Sequence, residues 1–183
     1  IEGSLATIGN FGSGHSGSVS IRTGSIQGSV VPSLVNDITG GNFTLAITNA
    51  STPFVIGGVS YNSAYDLTVI SASDLKVTGN ILNAGAGNIT LAAGWKPSVA
   101  PSAVLTTSGS YGVGGKSLTI GGASASGSVS VGSKSGKTNI LASSLLVSAK
   151  NGNAQLGYAG AGTGGINVYT LGSVTVQTET NGT

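Results

Sequence analysis

The stretch Gly152-Asn-Ala-Gln-Leu-Gly-Tyr-Ala-Gly-Ala-Gly-Thr-Gly-Gly-Ile-Asn-Val-Tyr-Thr-Leu-Gly-Ser-Val-Thr-Val176 holds three strand-like pieces: Ala154-Gln155-Leu156, Ile166-Asn167-Val168 and Val174-Thr175-Val176. Each alternates apolar and polar side chains, so each shows one face to a core and one to water. Glycine-rich segments separate them, and none has helical spacing. Outward from this stretch, a cassette of the form Gly-x-apolar-Thr/Ser-apolar recurs. It stands at Gly17-Ser18-Val19-Ser20-Ile21, Gly41-Asn42-Phe43-Thr44-Leu45, Gly87-Asn88-Ile89-Thr90-Leu91, Gly127-Ser128-Val129-Ser130-Val131 and Gly172-Ser173-Val174-Thr175-Val176. A chain built from one repeated strand unit reads as an all-β solenoid.

Composition narrows the alternatives. The chain has 183 residues, enough for one domain or one piece of a longer array. Hydrophobic residues reach 39% and are periodic, which separates this glycine-rich chain from disordered linkers. Glycine does not recur at every third position, which excludes collagen. Seven cations against five anions are scattered along the chain, so no basic patch supports nucleic-acid binding. There is no cysteine, hence no disulfide framework. No signal-peptide pattern and no long apolar run is present, and the chain reads as a mature or excised segment of a larger precursor, without a transmembrane segment.

The rhythm is clearest from Phe43, because Leu67 and then Ile89 follow it at nearly equal spacing. Two or three strand pieces fit each interval, as expected of a triangular coil. At about 22 residues per turn the chain makes about eight turns and a rod about 40 Å long. The interval from Ile89 to Leu118 is longer. It contains Trp95, Pro97 and Pro101, and reads as a turn with a loop bulging from a corner. Leu5-Ala6-Thr7-Ile8, Val19-Ser20-Ile21 and Ser29-Val30-Val31 are further strand candidates, and Pro32 belongs at a strand end. Gly79-Asn80, Gly87-Asn88 and Gly152-Asn153 suit corners that need positive φ. Composition stays uniform, so residues 1–183 read as a single β-helix domain or segment.

Three stretches carry a resemblance: Gly-Asn-Ile-Thr-Leu-Ala-Ala-Gly at 87–94, Asp66-Leu-Thr-Val-Ile-Ser-Ala-Ser-Asp-Leu-Lys-Val-Thr-Gly79, and Asn153-Ala-Gln-Leu-Gly-Tyr158 with the two glycine-started strands that follow it. They resemble the passenger repeats of filamentous-haemagglutinin-like large exoproteins, which two-partner systems secrete across the outer membrane of Gram-negative bacteria. The resemblance covers about half the chain. It implies a right-handed parallel β-helix, export to the bacterial cell surface, and a role in adhesion, aggregation or toxin delivery. The secretion-signal domain that begins those proteins is not recognisable here.

Candidate chemistry is sparse. His15 is the only histidine and stands in a glycine loop, so it supports neither a multi-histidine metal site nor a serine triad. Asp66 and Asp74 precede similar Leu-x-Val strands and read as turn-formers at equivalent corners rather than a catalytic pair. No Gly-Gly-x-Gly-x-Asp repeat is present for calcium. Lys116, Lys134, Lys137 and Lys150 read as solvated edge-blunting residues. Tyr61, Tyr65, Trp95 and Tyr111 form the candidate surface-binding strip for sugar stacking; with Phe54 they could equally cover a coil corner. Asn42, Asn49, Asn88 and Asn181 lie in glycosylation sequons, two of which arise from the cassette itself.

The expectation is therefore an all-β, right-handed parallel β-helix of about eight turns with glycine-rich corners. Its role would be that of an extracellular structural or adhesive element, not an enzyme, without cofactor or metal. Expected partners are copies of itself end to end, flanking repeats of its precursor, or a host or cell-surface glycan or protein. Alternatives are a self-assembling filament subunit and a polysaccharide-active β-helix enzyme. The cassette valines Val174 and Val176 are expected to join the core with Phe43, Leu45, Leu67, Val69, Ile89, Leu91, Val129 and Val131.

Overall fold

The computed structural model describes residues 2–3, 17–26, 40–123, 125, 127–150 and 152–178. The expectations for residues 5–8, His15, residues 29–31, Pro32 and Asn181 fall outside these. The strands, in chain order, are β1 (Glu2–Gly3), β2 (Val19–Thr23), β3 (Phe43–Ile47), β4 (Phe54–Ile56), β5 (Val59–Tyr61), β6 (Leu67–Ser71), β7 (Leu75–Val77) and β8 (Ile81–Asn83). They continue as β9 (Ile89–Ala93), β10 (Ser117–Gly121), β11 (Val129–Ser133), β12 (Thr138–Ala142), β13 (Ser144–Ala149), β14 (Ala154–Leu156), β15 (Ile166–Thr170) and β16 (Val174–Thr178). No helix among the described residues is long and apolar enough to cross a membrane.

These strands stack into three parallel sheets. The first runs β1-β2-β3-β6-β9-β12-β15, the second β4-β7-β10-β13-β16, and the third β5-β8-β11-β14. From β3 onward, consecutive strands visit the three sheets in rotation, the arrangement of a parallel β-solenoid. All three pieces of the opening stretch are strands, one in each sheet. The five cassettes also all begin strands, but not equivalent ones. Those at Val19, Phe43 and Ile89 lie in the first sheet, that at Val129 in the third and that at Val174 in the second. The cassette marks the start of a strand with one inward face, whichever side of the coil it forms.

Register sets the core. In the first sheet Phe43, Leu67, Ile89, Thr138 and Ile166 form one inward row, and Leu45, Val69, Leu91, Ile140 and Val168 the next. In the second, Phe54, Leu75, Leu118, Leu145 and Val174 continue the same apolar interior. Most of these side chains are essentially inaccessible, so each level covers the one below. Leu118 is consequently not the successor of Ile89, as its spacing suggested. It stacks on Leu75 in the second sheet, and the residue above Ile89 is Thr138, 49 positions on. The neighbouring steps of the first sheet are much shorter. They are 24 positions from β3 to β6, 22 from β6 to β9 and 28 from β12 to β15.

The long step contains an insertion, residues 94–116, that does not bulge from a corner. It folds back over the outer face of the first sheet, where Ala46, Ile70, Ala92 and Leu141 form a second apolar cluster with Trp95 and Val104. Small side chains at Ala46 and Ala92 leave room for the indole, and burial of the row explains why outward positions of this sheet are apolar.

Corner geometry differs from expectation in one respect. Among the described residues no residue other than glycine has positive φ, and Gly79 and Gly87 do not either; Gly152 does, at +108°. Gly87 is needed for close approach instead: a Cβ there would run into the carbonyl of Tyr65 on the level below.

Candidate functional site

The four aromatic residues read as a binding strip are split between two places. Trp95 is 1% exposed beneath the insertion. Its Nε1 donates to Val99 O at 3.1 Å, and the Arg22 guanidinium lies 5.5 Å from its ring centroid while donating to Pro97 O at 2.9 Å. Tyr111 packs half-buried against the same cluster. Trp95 therefore has no face left for a sugar; its ring is consumed by covering the outer row of the first sheet. Tyr61 and Tyr65 stand elsewhere, around the corner between the third and first sheets. Tyr65 is exposed, whereas Tyr61 is half-buried with its hydroxyl inside, and burial, followed by the nearby Asp66 carboxylate, pushes its pKa above the ordinary tyrosine range.

Of the sequon asparagines, Asn42, Asn49 and Asn88 have structural roles. Asn42, Asp66 and Asn88 each occupy the position just before a first-sheet strand. The Asp66 N–H donates to Asn42 Oδ1 at 2.9 Å, the Asn88 N–H to Asp66 Oδ1 at 2.8 Å, and the Lys137 N–H to Asn88 Oδ1 at 2.8 Å. Below them the Asn42 N–H donates to Ser18 Oγ at 3.3 Å. Each side-chain oxygen therefore receives the next level's backbone, a ladder running up one corner. Asn88 Nδ2 additionally donates to Asp66 Oδ1 at 3.0 Å, which engages one of the two hydrogens of the side-chain amide. Asn49 Oδ1 accepts from Ser51 N at 2.8 Å in a local turn.

Asp74 does the same work at the second sheet, accepting from Ser117 N at 2.7 Å and Ser117 Oγ at 3.1 Å. Asp66 and Asp74 thus sit at comparable corners, one residue ahead of their strands. A buried polar corner completes the scheme. Asn83, wholly inaccessible, donates through Nδ2 to Ser63 O and Gly87 O and accepts from Ser63 N and Gly85 N, while Ser133 Oγ donates to Gly87 O at 2.7 Å. Among the described residues no cluster of three or more His, Cys, Asp or Glu side chains could hold a metal ion. Of the cations read as edge-blunting, Lys134, Lys137 and Lys150 are exposed and Lys116 is half-buried.

At the C-terminal end of the stack the expected burial of Val174 and Val176 is not met. Val174 and Val176 point along the inward rows as their alternation requires, yet they are 53% and 75% exposed. They belong to the last described level, with nothing among the described residues stacked above them. Ile166, Val168, Tyr169 and Leu171 of the same level are exposed too. Among the described residues no strand follows β14 in the third sheet, and a cleft of about 280 Å³ opens between Val147, Ala149, Ala154 and Val176.

Comparison with known protein families, curated proteins and solved structures gave no match.

Proposed function

We propose that this chain is a right-handed parallel β-helix of about eight turns acting as an extracellular structural and adhesive element of a bacterial surface exoprotein. It mediates attachment or aggregation and catalyses no reaction. The observation that carries this reading is the continuous stack: three parallel sheets share one apolar interior, and a ladder of Ser, Asn and Asp oxygens passes backbone hydrogen bonds from level to level. Such a body gives length and stiffness, and its sides offer hydroxyls and amides rather than a cleft furnished with acids. The likeness to haemagglutinin-like passenger repeats supports export and the right hand. The exposed last level favours end-to-end contact with flanking repeats or another copy.

The purified chain, coupled to beads, should adhere to or aggregate with host or bacterial cells above a carrier-protein control. Beads that behave as the control on every cell type would overturn the adhesive role. A crystal structure reads the hand and the number of turns directly.

A further inference from the structure

We propose that the insertion is a lid: residues 96–111, together with the Trp95 indole, lift off the outer face of the first sheet while the three-sheet stack stays folded. Opening uncovers the apolar row of Ala46, Ile70, Ala92 and Leu141, which spans four levels of the stack. A side of the rod that is closed and polar thereby gains an apolar stripe. The device is independent of the adhesive role.

Lid and stack have separate cores. The interior shared by the three sheets is one apolar cluster, and the outer row with Trp95 and Val104 is another, with no residue in common. Lifting the lid therefore takes nothing from the interior of the stack. Of residues 96–111, Val104 and Ser110 alone are buried. A segment with so few buried contacts opens at a lower free energy than the body on which it lies.

The polar groups of the lid are served from within. Lys96 N donates to Ser110 O at 2.9 Å, Thr107 N to Ala103 O at 2.9 Å and Ser110 Oγ to Val104 O at 2.7 Å. The indole N–H of Trp95 donates to Val99 O, so its partner travels with it. Among the described residues, the strand side chain that holds the lid by a hydrogen bond is Arg22, through Pro97 O, and its guanidinium also lies over the Trp95 ring. Water takes over that hydrogen bond when the lid lifts, so opening strands no donor.

The neck below the lid is fixed. Gly94 and Gly112, with φ of +64° and +67°, turn the chain out of the coil and back into it. Gly112 N donates to Ala93 O and Val113 N to Gly94 O, so the two ends of the insertion lie one upon the other. On one side Gly94 N and Trp95 N donate to Ser73 O and Ser71 O, and on the other Ser143 N donates to Lys116 O. The neck is thus part of the ladder and stays in place, and the few residues beside it absorb the motion.

The chain has no cysteine, so a single introduced thiol reports opening where it stands. Ala92 and Ala93 are neighbours on β9 and equally inaccessible, but Ala92 faces the lid and Ala93 the interior. In excess iodoacetamide the Ala92→Cys full chain should react at least tenfold faster than the Ala93→Cys chain, with a rate that depends little on low urea concentrations. Ala46→Cys, under the same lid, should behave as Ala92→Cys does. Fluorescence of Trp95, the one tryptophan, checks that the lid is closed in each variant. Adding Val69→Ala, which weakens the interior, should quicken labelling of the Ala93→Cys chain and leave that of the Ala92→Cys chain unchanged. Rates closer than tenfold, or an Ala92→Cys chain quickened by Val69→Ala as much as the Ala93→Cys chain, would show that the lid opens only when the stack unfolds and would overturn the proposal.

Discussion

Replacing Trp95 by alanine tests whether the insertion is part of the folded body or an ornament upon it. The indole is 1% exposed and packs with Ala46, Ile70, Ala92, Val104 and Leu141 on the outside of the first sheet. Truncating a buried tryptophan costs about 3–5 kcal/mol, as lost transfer energy plus a cavity. The hydrogen bond from Nε1 to Val99 O adds about 1 kcal/mol to what is lost. The stacking of Arg22 on the ring contributes about 0.5–1 kcal/mol. Against this, the insertion is a loop anchored at both ends and can settle toward the vacated space, which places the expected cost near the lower bound, about 3 kcal/mol. Urea unfolding followed by far-ultraviolet circular dichroism measures it, since the variant has no tryptophan to report. Limited proteolysis should also begin to cut within residues 96–115. A change under about 1 kcal/mol with unaltered proteolysis would refute the packing argument, because Trp95 is the largest buried side chain of the cluster.

Two further predictions concern polar groups. Asn83→Ala removes four hydrogen bonds from a wholly buried corner and strands the Ser63 and Gly85 amides, so it should cost about 3 kcal/mol in the same urea assay, whereas an equal result for Asn49→Ala, in an exposed turn, would contradict the distinction. Tyr61 has its pKa raised, first by burial and then by Asp66, so the folded state holds the phenolic proton more tightly than the unfolded chain. Its contribution is complete below the ordinary tyrosine value of about 10 and declines as pH climbs above it; Tyr61→Phe should lessen the alkaline loss of stability, and a variant with the unchanged alkaline profile would contradict this.

Strand existence was legible in the residues, because alternation of Val, Ile and Leu with Thr, Ser and Asn has no helical counterpart. Sheet membership was not. Spacing along the chain cannot tell whether Leu118 lies above Ile89 or above Leu75, since an insertion lengthens one interval and leaves the stacking unchanged. The fate of the aromatics was hidden for a related reason. Trp95 belongs to an insertion whose resting place is the outer row of Ala46, Ile70 and Ala92, residues contributed by three different levels. A signal for the corner ladder was present, for Asn42, Asp66 and Asn88 recur one residue ahead of strands at steps of 24 and 22. It was obscured because two of them also spell sequons. Val174 and Val176 obey the pattern fully, and only their place in the last described level leaves them in water.

The single long step has a kinetic consequence. A stack of this kind grows by adding one level to the next, and each addition closes a loop of the chain. Neighbouring strands of the first sheet are mostly joined by one ordinary turn of the coil, but β12 reaches β9 only after 49 positions, about twice as far. Doubling a loop adds only about 0.6 kcal/mol of closure entropy, so the equilibrium hardly registers the difference. The order of events does. Until the insertion has found the outer face and Trp95 has seated, the levels on either side have no short route to one another. The coils before and after it are expected to form as separate runs, joined where β10, β11 and β12 meet β7, β8 and β9, and pulsed hydrogen exchange that protects both sides of that seam in one phase would refute this order.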